Sequence, residues 1–221
     1  MPRPPPDPPQ LPLAKPVAQV PAGSLDELRH QAAHCRACGL WRSGTRTVFG
    51  QGPEHAAAKL IGEQPGHQED IDGTPFVGPA GRMLDRMLEA AGIERDSLYL
   101  TNAVKHFKYE QRGKVRMHKR ASAAEQAACR MWLAAEMARI RPQVVVCLGA
   151  MAAQTVFGAS FRVTRERGRW IELGNGVRGL ATWHPAAVLR APAGRRATAQ
   201  QELGADLMLL AEALRKPPRR R

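Results

Sequence analysis

No stretch of this chain approaches the length of a membrane span, and no long basic amphipathic helix stands out, so a membrane partner is not expected. The N-terminus carries a proline run and no apolar core of the kind secretory signals have, which predicts a cytoplasmic protein. No internal repeat is visible, which argues against a solenoid or propeller. Acidic residues are scarce: 20 Asp and Glu face 33 Lys and Arg in 221 residues, for a formal net charge of +13. That imbalance favours a polyanionic partner, because neutralising phosphates releases counterions. Cysteines number only four, Cys35, Cys38, Cys129 and Cys147. In a reducing compartment they read as metal ligands or buried thiols rather than disulfides. Their C-x2-C pair, 90-residue gap and C-x17-C pair fit neither a zinc ribbon nor a ferredoxin run, so spacing does not choose the metal.

What is present is an alternation of strand and helix patterns between two tails. Residues 1–22 hold nine prolines and little to pack, and read as a disordered arm. Residues 216–221, "KPPRRR", read as a basic tail. Residues 23–215 form one domain in this reading. Ser24 with Glu27, and Ser122 with Glu125, are capping boxes that open helices. "GRMLDRMLEAAG" (81–92) has a helical apolar face ending at Gly92. "KLIGE" (59–63), "LYLTNAV" (98–104), "VVVCLG" (144–149) and "GLATWHP" (179–185) read as strands, and "VVVCLG" has the continuous apolar run of a buried parallel strand. The final helix is expected over roughly 198–214. Alternating strands and helices predict a three-layer α/β/α sandwich around a central, mostly parallel sheet.

Ligands of such sheets bind outside the carboxyl ends of the strands. "GEQPG" (62–66), "TNAVKH" (101–106) and the "HP" of residues 184–185 all fall at that edge. Each alone is weak: Gly-Pro loops are common connectors, and a buried Asn is more often a satisfied turn residue. Between Lys105 and Arg120 there are seven Lys and Arg and one acid, Glu110, with His118 among them in "GKVRMH" (113–118). By composition this is a solvated or phosphate-gripping loop in which His118 is incidental.

"GEQPG", "GTPFVGPAG" (73–81), "TNAVKH" and "HPAAVLR" (184–190) resemble the motifs of the uracil-DNA glycosylase superfamily, over roughly residues 25–215. The four cysteines resemble those of its iron–sulfur branch, family 4. Gln64 and the inserted basic loop resemble the UdgX type, which becomes covalently trapped on uracil-DNA. The resemblance implies a [4Fe–4S] cluster on Cys35, Cys38, Cys129 and Cys147. It implies that Phe76 stacks on a flipped or single-stranded uracil and that Asn102 reads its N3–H and O4. His184 would donate to uracil O2 as charge grows on the leaving base. Glu69 would crowd a thymine methyl. Glu63 would stabilise the oxocarbenium-like sugar or assist attack on it. His118 would attack C1′, with Gln64, also assigned to the uracil site, and Arg116 supporting its loop. Lys105, Lys108, Lys114, Arg116, Lys119 and Arg190 would contact the DNA backbone. The expected partner is uracil-containing DNA, bound by a monomer.

Two places depart from the UdgX pattern. The loop usually reads Lys-Arg-Arg-Ile-His, where this chain has Val115 and Met117 in place of the first arginine and the isoleucine. His67 stands where an aspartate is usual. Two other readings share the motifs: a family 4 enzyme that turns over with water as nucleophile, and a non-catalytic nucleic-acid-binding module with a structural metal. The second gives Asn102, Glu63 and His184 no task.

Overall fold

The structure, a computed structural model, describes residue 13 and residues 17–215. The basic tail 216–221 and most of the Pro-rich arm therefore lie outside the described residues. Two residues of the arm reach the core, Leu13, which is buried in it, and Val17, which is half-buried against it, whereas Ala18, Gln19, Val20 and Ala22 are exposed.

Local signals set the elements. Helix α1 (Leu25–Ala33) starts where Ser24 Oγ accepts from Glu27 N at 3.2 Å and Glu27 Oε2 accepts from Ser24 N at 2.7 Å. Strand β1 (Ala58–Gly62) is followed by α2 (His67–Asp72) and α3 (Pro79–Ala90). Strand β2 (Tyr99–Asn102) precedes a hairpin, β3 (Tyr109–Arg112) and β4 (Val115–His118). Helix α4 (Ala123–Ile140) opens on the second capping box, at Ser122. Strand β5 (Val144–Leu148), α5 (Ala150–Phe157), α6 (Val163–Glu166), β6 (Ile171–Glu172), β7 (Arg178–Thr182) and α7 (Pro185–Arg190) follow. Helix α8 (Ala193–Arg215) closes the described chain and begins five residues before its expected start, 198.

Five strands form one sheet in the order β2-β1-β5-β7-β6, parallel except for β6 at its edge. Side chains alternate between its faces. Ile61, Val145 and Cys147 pack with α1, α4 and α5, whereas Leu60, Val144, Val146 and Leu148 pack with α3 and α8. Both faces are covered, which is why β5 is apolar throughout. Each such side chain contributes roughly 1.5–3 kcal/mol by leaving water. This is the expected three-layer α/β/α sandwich.

The basic run is not a loop. It is an antiparallel hairpin that pairs Tyr109 with His118 and turns at Gly113, whose φ of 57° suits a tight turn. Its strands bond only to each other, outside the five-stranded sheet. Among the described residues, no helix is long and apolar enough to cross a membrane.

Candidate active site at the carboxyl edge of the sheet

The parallel strands end side by side, with Gly62 of β1 in register with Asn102 of β2, and Leu148 of β5 in register with Thr182 of β7. The chain beyond β1 is Glu63-Gln64, and the chain beyond β7 reaches His184 at the start of α7. The three motifs expected at this edge are all there.

Asn102 is 3% exposed, and its side-chain amide takes no hydrogen bond from the described residues. An amide left free in this way takes its partners from water or from a ligand. Gly62 opens the space in front of it. A Cβ at Gly62 would collide with Asn102 Oδ1 and lie 2.7 Å from the Phe76 ring. Phe76 lies 6.3 Å from the His184 ring, centroid to centroid, at 27°. Asn102, Phe76 and His184 therefore converge over the end of β1.

Phe76 has a left-handed backbone, φ 59°, which costs a non-glycine residue on the order of 1–3 kcal/mol. Surrounding contacts fix it there. Arg95 Nη2 donates to the carbonyls of Pro75 at 3.2 Å and Phe76 at 3.3 Å, and its Nη1 pairs with Asp85. Gly81 has no Cβ to block the Phe76 carbonyl. Glu69 joins the two pocket loops: its oxygens accept from Gly66 N at 3.1 Å and Gly78 N at 2.8 Å. Glu69 thus braces the site, and each carboxylate oxygen is already held by an amide of the chain.

His184 has a defined tautomer. Ala186 N donates to Nδ1 at 3.1 Å, so in the neutral ring the proton sits on Nε2. Burial pushes its pKa down to about 4, helped by the positive charge of Arg190 and by His118. At neutral pH the ring is an uncharged Nε2–H donor.

The hairpin delivers His118 to the same edge. Gln64 is buried, and its Nε2 donates to the carbonyls of Lys108 at 3.2 Å and Lys119 at 3.1 Å, on the two legs of the hairpin. Its Oε1 accepts from Ala121 N at 3.0 Å. Both ends of the amide are thus engaged by the hairpin legs and by the chain that follows them. Arg116 Nη1 donates to Asp70 Oδ2 at 2.7 Å, and its Nε donates to His67 Nδ1 at 2.9 Å. At the position of the His67 departure, the imidazole Nδ1 takes the place of an acceptor for the arginine. His118 stays accessible to solvent, with its ring 6.2 Å from Phe107. Crowding by the protein lowers its pKa, the Glu63 carboxylate raises it, and Arg190 lowers it. Glu63, His118, His184 and Arg190 thus share one electrostatic neighbourhood.

The expected DNA-backbone set divides. Lys105 is fully buried, with its ammonium 2.8 Å from Glu136, so it faces no phosphate. Asp70 neutralises Arg116, and Glu125 accepts from Lys108 at 2.7 Å. Lys114, Lys119 and Arg190 are exposed, and their side chains carry no hydrogen bond or ion pair among the described residues. Sequence reasoning missed Asp70, Arg95 and Glu136. Only Asp70 sat beside a motif residue, and nothing in its spacing marked it as the partner of Arg116.

The cysteines lie on one side of the sheet. Cys129 and Cys147 are buried in the core cluster against which Cys35 and Cys38 pack. Lys105 N donates to Cys129 Sγ at 3.1 Å. Burial pushes the Cys129 thiol up to about 12, and Cys35 and Cys38 add to that rise. Burial also raises Cys147. Among the described residues no three His, Cys, Asp or Glu side chains are arranged to hold a metal ion as they stand.

Residues 49–208 match the family model described as the uracil DNA glycosylase superfamily. A Type-4 uracil-DNA glycosylase of Archaeoglobus fulgidus is 36% identical over 176 residues, covering 76% of this chain and 85% of its own. That of Thermotoga maritima is 36% identical over 167 residues, covering 75% and 83%. That of Saccharolobus solfataricus is 31% identical over 203 residues, covering 88% of each. Among solved structures, SMUG2 of Pedobacter heparinus superposes with a TM-score of 0.51 at 12% identity, over 72% of this chain and 77% of that one, a likeness of fold.

Proposed function

This chain belongs to the uracil DNA glycosylase superfamily, and from that premise we propose that it excises uracil from DNA and then bonds to the abasic sugar through His118. The observation that carries the reading is the Gln64 amide, which bonds both legs of the hairpin that bears His118, within electrostatic reach of Glu63.

Uracil, flipped out or already single-stranded, enters the space that Gly62 leaves open. Phe76 covers its face. The free amide of Asn102 accepts from N3–H and donates to O4. Cytosine has a donor at the O4 position and would leave a buried amide unpaired. As the C1′–N1 bond breaks, its electron pair passes to the base. The neutral Nε2–H of His184 donates to O2, a preset donor aimed at developing charge, worth roughly 10²–10³ in rate. The Glu63 carboxylate stabilises the positive charge that builds at C1′. The unprotonated ring nitrogen of His118 then gives its lone pair to C1′, and the resulting imidazolium passes the proton on its other nitrogen to solvent, regaining neutrality. The product is a histidine–deoxyribose bond without an easy leaving path.

Cys35, Cys38, Cys129 and Cys147 are the residues that would hold a [4Fe–4S] cluster. Their chemistry fits: four sulfurs face one side of the sheet, and the Lys105 amide already donates to one of them. A bound cluster would clamp the segment after α1 to α4 and β5.

A second reading, turnover with water as nucleophile, draws on the Type-4 relatives. The test is to incubate the protein with single-stranded DNA holding one uracil, denature it with heat and SDS, and run a gel. The proposal expects a uracil-dependent adduct that His118→Ser abolishes. Free uracil in excess over protein, with no adduct, supports the water reading. Binding indifferent to uracil, without excision, removes both.

A further inference from the structure

Lys105 was expected on the DNA and is found in the interior, where it has a different task. Its ammonium has three donors and three acceptors: Thr101 Oγ1 at 2.6 Å, the Asn102 carbonyl at 2.8 Å and Glu136 Oε2 at 2.8 Å. Two of these belong to the last two residues of β2, and the third is anchored on α4. Its own backbone is tied at both ends, with N donating to Cys129 Sγ at 3.1 Å and O accepting from Val48 N at 2.8 Å.

Glu136 is itself held. Its Oε1 accepts from Gly50 N at 2.9 Å, from Thr101 Oγ1 at 2.9 Å and from Tyr99 Oη at 3.3 Å. A Cβ on Gly50 would lie 2.6 Å from that oxygen. A second buried lysine, Lys59, lies 3.4 Å from Glu136 Oε2, and its amine makes no hydrogen bond among the described residues. Burial pushes its pKa down to about 7. Lys105 donates to Thr101 and to the Asn102 carbonyl, whereas Lys59 faces the carboxylate and the Tyr99 ring, 5.2 Å from its centroid, and makes no bond to Asn102.

We propose that Lys105 is a positioning residue for base recognition: anchored by Glu136, its ammonium fixes the carbonyl of Asn102 directly, and so aims the Asn102 amide at the base. The inference rests on the reading of Asn102 given above. Just beyond β2 the chain is tied through its amides, Ala103 N to the Gly62 carbonyl at 2.9 Å and Val104 N to the Glu63 carbonyl at 3.1 Å, and Lys105 adds the tie on the Asn102 carbonyl itself. A misplacement of about 1 Å at such a point costs on the order of a hundredfold in rate. Lys105 is thus to Asn102 what a supporting hydrogen bond is to any reactive side chain.

The comparison is between Lys105→Met and Lys59→Met, assayed as purified full-length protein on single-stranded DNA containing one uracil. Both remove a buried lysine beside the same carboxylate, but only the first releases Asn102. The expected result is that Lys105→Met lowers the single-turnover rate of uracil release, with protein in excess, by about a hundredfold, with the half-saturating protein concentration little changed. It also narrows the preference for uracil over cytosine. Lys59→Met, whatever its melting temperature, keeps the wild-type rate. Equal rates in both variants, per folded molecule, overturn the proposal. If Lys105→Met does not fold, Lys105→Arg carries the same comparison, since it keeps the charge and shifts the donors; an unchanged rate there overturns the proposal too. Wild-type protein that releases no uracil refutes the base-reading role of Asn102 itself, a failure separate from that of Lys105.

Discussion

Gly62 and Asn102 face each other across the β1–β2 ladder, and the side chain Gly62 lacks is the room in which the Asn102 amide stands open. A methyl group there would fill the site from below. Gly62→Ala is expected to lower uracil release by about a hundredfold or more. Overpacking of this kind costs about 1–3 kcal/mol, so the protein should still fold, melting a few degrees lower. Uracil release measured beside a thermal melt separates the two effects. Full activity in the variant would mean that the base binds elsewhere.

Gln64→Ala should uncouple the hairpin from the sheet edge. Three hydrogen bonds are lost, each worth about 1 kcal/mol net. The expected outcome is a much slower adduct with uracil release largely retained, since Asn102, Phe76 and His184 are untouched. Limited proteolysis should cut near Gly113 sooner than in the wild type. If adduct and release fall together, the hairpin is part of the excision machinery rather than an attachment to it.

The salt dependence of DNA binding sorts the basic residues. Lys114, Lys119 and Arg190 are exposed and uncommitted, so each alanine variant should reduce the slope of log K against log salt by about one. Lys105→Met should leave the slope alone, because its charge never reaches solvent. A reduced slope for Lys105→Met would mean that the interior opens on binding.

Acid should act through the histidines. His184 has its pKa depressed from the usual 6.5 to about 4. Above pH 6.5 both folded and unfolded chains carry the neutral ring and nothing is lost. Between 6.5 and about 4 the unfolded chain takes a proton that the folded one refuses, so stability falls as pH drops through that window. His106 and His118, also lowered, act in the same direction. His184→Asn should flatten the decline, as read by denaturation at several pH values. Arg190→Ala should move the acid limb of adduct formation to higher pH, because Arg190 helps keep both His118 and His184 neutral.

The sheet and its carboxyl edge were legible because their signals are local. Capping boxes at Ser24 and Ser122 and the apolar run of β5 each need only a few neighbouring residues. The hairpin was hidden because its strands are only four residues each and the surrounding basic residues dominate: β3 is polar apart from Tyr109, and the brief alternation of β4 turns Val115 and Met117 to solvent rather than to a core. Lys105 was misread because a lysine beside other basic residues looks solvated, and the carboxylate that draws it inside lies 31 residues away. The partner of Arg116 was hidden in the same way, since Asp70 lies 46 residues away. Charge pairs made in three dimensions leave no trace in spacing. The open amide of Asn102 was anticipated from its motif, but the reason Gly62 must be glycine came only with the fold.

The β3–β4 hairpin shares no ladder with the five-stranded sheet and is fastened to the rest chiefly by side chains, Gln64 and Arg116 foremost. It is an appendage to a sandwich already complete without it. A lineage could therefore acquire or discard these few residues, and the histidine they bear, while the ancestral scaffold kept folding and kept its grip on a base. Whatever His118 does, evolution was free to try it without risking the rest.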